Sequence, residues 1–208
     1  MDAPPEKEIG VNDPNLIEEI GQAFAPTALN RAIDIAYPGR WFDEGGVLHT
    51  YDDPESTEAA RFLSGKTWRD LVGPPLLKWG PAASSLLHLT PTGLATYAPA
   101  YLCSFLGWQN DGIAWAILDS MVSRLTIPDQ TADSEALRRR YGGRSDLQRE
   151  AMWRCEVEHF RAFVKCLSVS QTKTIARFLQ AVIPFFEGDY TDNLARLAFE
   201  KFWERRLA

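Results

Sequence analysis

Three polar–proline pairs punctuate the first half of this chain, and each is followed by apolar residues at helical spacing: Asp13-Pro14, Asp53-Pro54 and Thr90-Pro91. The side-chain oxygen of the first residue accepts from the free N–H groups of an opening helical turn. Proline fits that turn because its missing N–H would have gone unpaired. Leu16, Ile17, Ile20, Ala23 and Phe24 follow the first pair, and Ala59, Ala60, Phe62 and Leu63 the second, with Gly65 placed to end that helix. Leu94, Tyr97, Ala98, Tyr101, Leu102 and Phe105 follow the third, where Pro99 predicts a kink or a delayed start. Steps of three and four put each set on one helix face.

The second half repeats the pattern with other caps. Asn110 or Asp111 precedes Ile113, Ala114, Ile117, Leu118, Met121, Val122 and Leu125, with Pro128 as the stop. A long helix is expected from Ser145 to about Leu167, with Trp153, Val157, Phe160, Val164 and Leu167 along one seam. Ser168 and Gln171 form a capping box ahead of Ile175, Phe178, Leu179, Val182 and Phe186. A last helix starts near Asp189 or Thr191. Between the first two capped helices, Thr27 to about Ala36 suits a short helix. Residues 37–52 are the least helical, and Gly45-Gly46 between aromatic and β-branched residues suits a loop or one small hairpin. The expected architecture is therefore all-α: an orthogonal multi-helix bundle of about seven to nine helices, with room for one small β-hairpin near residues 40–51. Residues 1–12 are expected to be disordered. Residues 13–208 form one helical domain, with a mobile basic insert at about 129–145.

A chain of 208 residues is long enough for a real core, and seven Trp with eleven Phe supply large side chains for it. The first fifteen residues have neither the basic nor the apolar region of an export signal, and no apolar run is long enough to span a bilayer. Cys103, Cys155 and Cys166 are odd in number and lie in helical patterns, which suits reduced thiols and a cytoplasmic location. Net charge is −6 but uneven: residues 1–60 hold thirteen Asp/Glu against three Lys/Arg, the rest fifteen against nineteen. That acidic balance argues against nucleic acid as a partner, since affinity for it rests on neutralising phosphates.

No motif specifies a reaction. Glu156-x-x-His159 is half of a carboxylate-bridged di-metal pattern, and no second copy exists, because neither His49 nor His88 has an acidic residue three positions before it. Cys155 and His159 lie one turn apart, a spacing that holds zinc or activates a thiolate only with further groups converging from elsewhere. No metal site and no cofactor are expected. Arg138-Arg139-Arg140, with Arg144 and Arg149, would meet phosphates or an acidic partner, or else form a solvated basic loop; no aromatics interleave to stack bases. The most suggestive stretch is acidic and aromatic: Trp41, Asp43, Glu44, Tyr51, Asp52, Asp53 and Glu55. Aromatics give anchoring area and carboxylates steer association, so this is the candidate partner-binding surface. The alternative is a loop whose aromatics cover the core.

The string LHLTPTGLATYAPAYLCSFL at 87–106 resembles a bacterial domain family of unknown function with a pattern like LTPEGFRYYLPAYLLAAL. Residues 65–71, GKTWRDL, look like that family's GKTWREL, and LSVSQ with IARFL near 167–179 look like its LTPxQ and AVARFL. The resemblance covers about residues 13–205 and implies shared fold determinants, with no activity attached. Its matched positions are caps and core residues. The leading expectation is a non-enzymatic protein-binding module, more sharply an immunity or antitoxin-type protein that neutralises a basic bacterial toxin by direct binding. An enzyme with a helical pocket around His88, Tyr97, Tyr101 or His159 is the alternative, and a structural oligomer subunit a third reading.

Overall fold

The structure is a computed structural model, and it describes residues 13–128, 134–187 and 193–207. The capping chemistry acts where the sequence places it. Helix α1 (Pro14–Ala23) begins with Asp13 accepting from the N–H groups of Asn15 and Leu16. After α2 (Ala32–Ile35), strands β1 (Gly39–Phe42) and β2 (Leu48–Tyr51) pair antiparallel in a hairpin, with Trp41 opposite His49 and Gly39 opposite Tyr51. Helix α3 (Pro54–Leu63) is capped by Asp53 and ends at Gly65, which takes a left-handed conformation. A 3-10 turn (Trp68–Leu71) and two single-turn helices, α4 (Pro74–Leu77) and α5 (Ala82–Ser85), carry the chain to α6 (Pro91–Gly107). Then come α7 (Gly112–Leu125), α8 (Ser134–Tyr141), α9 (Asp146–Lys165), α10 (Val169–Val182) and α11 (Leu194–Ala198), the last continuing as a π-helical turn (Phe199–Trp203).

The molecule is mostly helical with one small two-stranded sheet, and eleven α-helices among the described residues exceed the seven to nine expected. The surplus is α4 and α5, each a single turn, and α8, which falls in the expected basic insert. A single turn lacks the repeated apolar spacing by which sequence reveals a helix. The short helix expected over 27–36 shrinks to four residues, because Ala28 pairs with Thr67 and Ala36 with Leu89 in isolated bridges. Those long-range bonds override local preference. Helix α6 runs unbroken through Pro99 from Pro91, so the delayed start is not seen. Of the stretch 129–145, residues 134–141 form α8, held by Arg149. That side chain is 8% exposed, and its guanidinium donates to the Gly142 and Arg144 carbonyls and to Asp146. Residues 1–12, 129–133 and the expected start of the last helix near 189–191 lie outside the described residues.

Helix α6 is the central element, with twelve of its seventeen residues buried. Tyr97 Oη donates to the Leu63 carbonyl and accepts from the Leu29 N–H, tying the ends of α3 and the 24–30 segment to α6. Tyr101 Oη meets Ser85 Oγ at 2.8 Å. Trp203 closes the opposite side, fully buried, its Nε1 donating to the Leu125 carbonyl at 2.7 Å.

The tightest approach is at Gly93. A Cβ there would overlap the Ile35 carbonyl oxygen and sit 3.0 Å from its carbon. Around it Thr90 Oγ1 donates to the Asp34 carbonyl at 2.5 Å and accepts from the Gly93 N–H, while the Thr90 N–H donates to the Ile35 carbonyl and the Tyr37 N–H to that of His88. Alanine at 93 gains up to about 1 kcal/mol of helix propensity. It forces two backbones apart, at a typical cost of about 1–3 kcal/mol or more. Gly93→Ala is expected to lower stability by about 2 kcal/mol net, read as a lower urea midpoint with an unchanged slope.

Candidate functional site

Two adjoining surfaces bring together polar and aromatic residues from several elements: the outer face of the β1–β2 hairpin, and a cleft behind it against α7, α8 and α9.

The pleat sends Trp41, His49 and Tyr51 to one face of the hairpin, since residues opposite one another and two apart share a side. Trp41 and Tyr51 are each 51% exposed. The Trp41 and His49 rings stack at 4.5 Å, and His49 Nε2 lies 3.1 Å from Asp43 Oδ2. Asp43 also builds the turn: its Oδ1 accepts from the Val47 N–H. Those hydrogen bonds hold the Asp43 carboxyl below its usual range. Gly46 takes a left-handed conformation with its Cα against the start of α9, where a Cβ would sit 2.8 Å from the Leu147 carbonyl oxygen. Ser145 Oγ donates to the Glu44 carbonyl and Gln148 Nε2 to that of Phe42, fixing the hairpin to α9. Val47, Leu48 and Leu147 are also exposed, so nearly half of the exposed large apolar side chains among the described residues cluster on or beside the hairpin.

The seven candidate binding residues divide here. Trp41, Glu44, Tyr51, Asp52 and Glu55 face solvent. Asp43 serves the turn. Asp53 is inward: its side chain is 12% exposed, caps α3, and accepts from Ser56 Oγ at 2.5 Å. His88 bridges this network, with Nδ1 2.9 Å from Ser56 Oγ and Nε2 3.2 Å from Glu55 Oε2. A serine beside an imidazole is the geometry of an activated nucleophile. Here the Ser56 proton goes to Asp53 and the residue is 4% exposed, so the arrangement caps α3 and depresses the Asp53 carboxyl pKa. The four residues of the helical-pocket reading are not brought together. Tyr97 and Tyr101 are sealed in the core, where burial raises both phenols; His88 sits in the cap network; His159 lies in the cleft behind.

In that cleft His159 meets a cation. Arg124 Nη2 lies 2.5 Å from His159 Nε2. Arginine does not give up its proton, so Nε2 must accept, and the imidazole is neutral with its proton on Nδ1. Burial, then Arg124 and Arg40, push the His159 pKa down to about 3. Among the described residues its Nδ1, like Arg124 Nε, is sealed from solvent and has no hydrogen-bond partner. Nε2, already engaged by a guanidinium, is closed to a metal, and no group of three or more His, Cys, Asp or Glu among the described residues is arranged to hold one. Arg40 lies over the Tyr37 ring at 3.8 Å with Nη1 3.6 Å from Cys155 Sγ, and Arg140 grips Glu156 through Nε at 3.0 Å and Nη2 at 2.5 Å. Sequence reasoning passed over Arg40 and Arg124. The available signal was spacing: Arg124 follows Ile117 by seven and Met121 by three, which puts a charge on the buried stripe of α7.

No helix among the described residues is long and apolar enough to cross a membrane. No family model, curated protein or solved structure matches this chain. The likeness to the family with the LTPEGFRYYLPAYL pattern therefore rests on the strings at 65–71, 87–106 and 167–179 alone.

The depressed His159 pKa has a sign. Above about pH 6.5 the imidazole is neutral folded and unfolded; below it the unfolded chain takes a proton that the folded chain refuses until about pH 3. Its contribution is thus complete above pH 6.5 and lost as pH falls toward 3, by up to about 1.4 kcal/mol per pH unit for one proton. His159→Gln should shallow the acid limb of stability over that window. Denaturant melts at several pH values check this, and parallel limbs in both proteins would remove the assignment.

Proposed function

We propose that this chain is a protein-binding module that holds a basic partner against the outer face of hairpin β1–β2, and that it acts as an immunity or antitoxin-type protein occluding a toxin. The observation that carries the reading is the exposed pairing of Trp41 and Tyr51 on one face of a hairpin fixed to α9, with Glu44, Asp52 and Glu55 around it. Exposed aromatics on a rigid support lose little entropy on docking, and clustered exposed apolar side chains mark contact surfaces. The carboxylates supply the steering. Residues 1–60 carry a net charge of −10, and complementary fields raise association rates by orders of magnitude at low salt. The finer assignment rests on that charge asymmetry, because an acidic inhibitor suits a basic toxin, and on the resemblance to an obscure bacterial family.

The test keeps Asp43 and Asp53 intact, since they build the turn and cap α3. Wild type, Trp41→Ala/Tyr51→Ala, and Glu44→Gln/Asp52→Asn/Glu55→Gln are used as bait in lysate of the source organism at low and moderate salt. Wild type is expected to capture one stoichiometric basic protein that the aromatic double variant loses. The charge variant should associate roughly tenfold more slowly at low salt and lose most of its salt dependence. Co-expression should relieve growth inhibition by the captured protein. Equal capture by all three baits, with association equally sensitive to salt, would sink the docking surface. Capture without toxicity would sink the immunity assignment alone.

A further inference from the structure

The cleft behind the hairpin holds more positive charge than its own residues balance. Three guanidinium groups reach it from three elements: Arg40 from β1, Arg124 from the last turn of α7 and Arg140 from the last turn of α8. Among the described residues two carboxylates border it: Glu156, committed to Arg140 through a single oxygen, and Asp53, committed to Ser56 at the cap of α3. Arg124 has no carboxylate within ion-pair distance among the described residues. It meets the neutral ring of His159, which brings no charge, and among the described residues its Nε is sealed away unpaired. Among the described residues Arg40 meets the face of Tyr37 and the Cys155 sulfur and forms no ion pair with a carboxylate. Arg40 and Arg124 are close enough that each opposes a further positive charge on His159; the Arg124 pKa is lowered by burial first, held up in part by Glu156 at longer range, and lowered again by Arg40.

Half-buried cations without counter-charges are costly, and proteins keep them where something anionic arrives. The space is present. A cavity of about 90 Å³ is lined by Arg124, Arg140, Glu156 and His159. It adjoins a wider one of about 250 Å³ that shares Leu87 and Glu156 and adds Tyr37, Arg40, Tyr51 and Met152. The first is the size of one oxyanion; the second offers aromatic and thioether surface to whatever the oxyanion is attached to.

We infer that this cleft binds a small phosphomonoester, with the phosphate where the two cavities adjoin, met by Arg124 from the smaller and Arg40 from the wider, and its organic part against Tyr37 and Met152. Phosphate is the suited anion because guanidinium presents paired donors in a plane that match its oxygens, and a dianion cancels both unanswered charges. Glu156 acts against it, which limits affinity and confines entry to the Arg124–Arg40 side. Neutral His159 orients Arg124 through Nε2. The inference does not rest on the docking face: Arg124, Arg140 and His159 lie off the hairpin, and Arg40, although on β1, sits on the side opposite Trp41.

The experiment uses the whole chain and three probes at constant ionic strength in chloride: inorganic phosphate, phenyl phosphate and acetate. Binding is followed by titration calorimetry and thermal melts. Wild type should bind phosphate saturably, bind phenyl phosphate at least tenfold more tightly, and ignore acetate. Arg124→Met should lose at least tenfold in affinity for both phosphates, and its melting temperature should no longer rise with phosphate. Arg40→Met tests the same site from the hairpin side, so a poorly folded Arg124 variant leaves the matter decidable. Glu156→Gln removes the competing carboxylate and should tighten phosphate binding at least threefold, an outcome a purely structural ion pair would not give. Phosphate binding without preference for phenyl phosphate would overturn the organic half of the site. No saturable phosphate binding in wild type, or binding unchanged in both arginine variants, would overturn the proposal.

Discussion

The near-contact of two backbones at Gly93 and Ile35 governs where everything else in the front of the molecule can stand. Helix α6 begins there, and the chain on the other side of the contact runs into the hairpin. A side chain larger than hydrogen at 93 would push the Ile35 carbonyl away and with it the bonds from Thr90, which cap α6 and seal the Asp34 and Ile35 carbonyls at once. The next residues in register are Tyr37 and His88, joined by the Tyr37 N–H and the His88 carbonyl. One steric allowance thus sets the position of Tyr37, the ring under Arg40, and of His88, the imidazole that joins the cap of α3. The surface features inherit their geometry from a packing constraint in the core.

That inheritance separates polar networks that look alike. Asp53, Ser56, His88 and Glu55 form a closed set in which every group has a partner and the carboxylate is the favoured charged form, so the network consolidates a helix start. Arg124, Arg40 and His159 form an open set, where a cation meets a neutral ring and, among the described residues, two nitrogens are sealed unpaired. Closed sets stabilise the folded chain by themselves. Open ones leave a cost standing, and the cost falls when an anion enters.

Much of the fold is legible in the sequence because its signals are local. Asp13, Asp53, Thr90, Asp111 and Ser168 cap helices through atoms two or three residues away, so spacing alone reveals them. The hairpin is legible for the same reason: its turn is carried by Asp43 and Gly46. The segment 27–36 is not, because its conformation is decided by bonds to Thr67 and Leu89 that no local pattern encodes. The same difference of range splits the candidate sites. The acidic-aromatic stretch is contiguous and visible, although which of its carboxylates are already engaged is a tertiary fact. The arginine cleft is assembled from residues 40, 124, 140, 156 and 159, and the basic run at 138–140 shows only one of its three guanidinium groups.

The two surfaces carry opposite charge and share a wall. Tyr51 borders the docking face and lines the wider cavity, and β1 presents Trp41 outward and Arg40 inward. Adjacent residues on a strand point to opposite sides, so any shift of β1 that reorients Trp41 also moves Arg40 relative to Tyr37 and Cys155. The hairpin is pinned to α9 by Ser145, Gln148 and the close approach of Gly46 to Leu147, and α9 carries Cys155, Glu156 and His159. An anion that draws Arg40 and Arg124 together therefore acts on the strand that displays the aromatic pair. Coupling between the faces has a physical route through one strand and one helix. Its size is the ratio of partner affinities with and without the anion, and it is reciprocal.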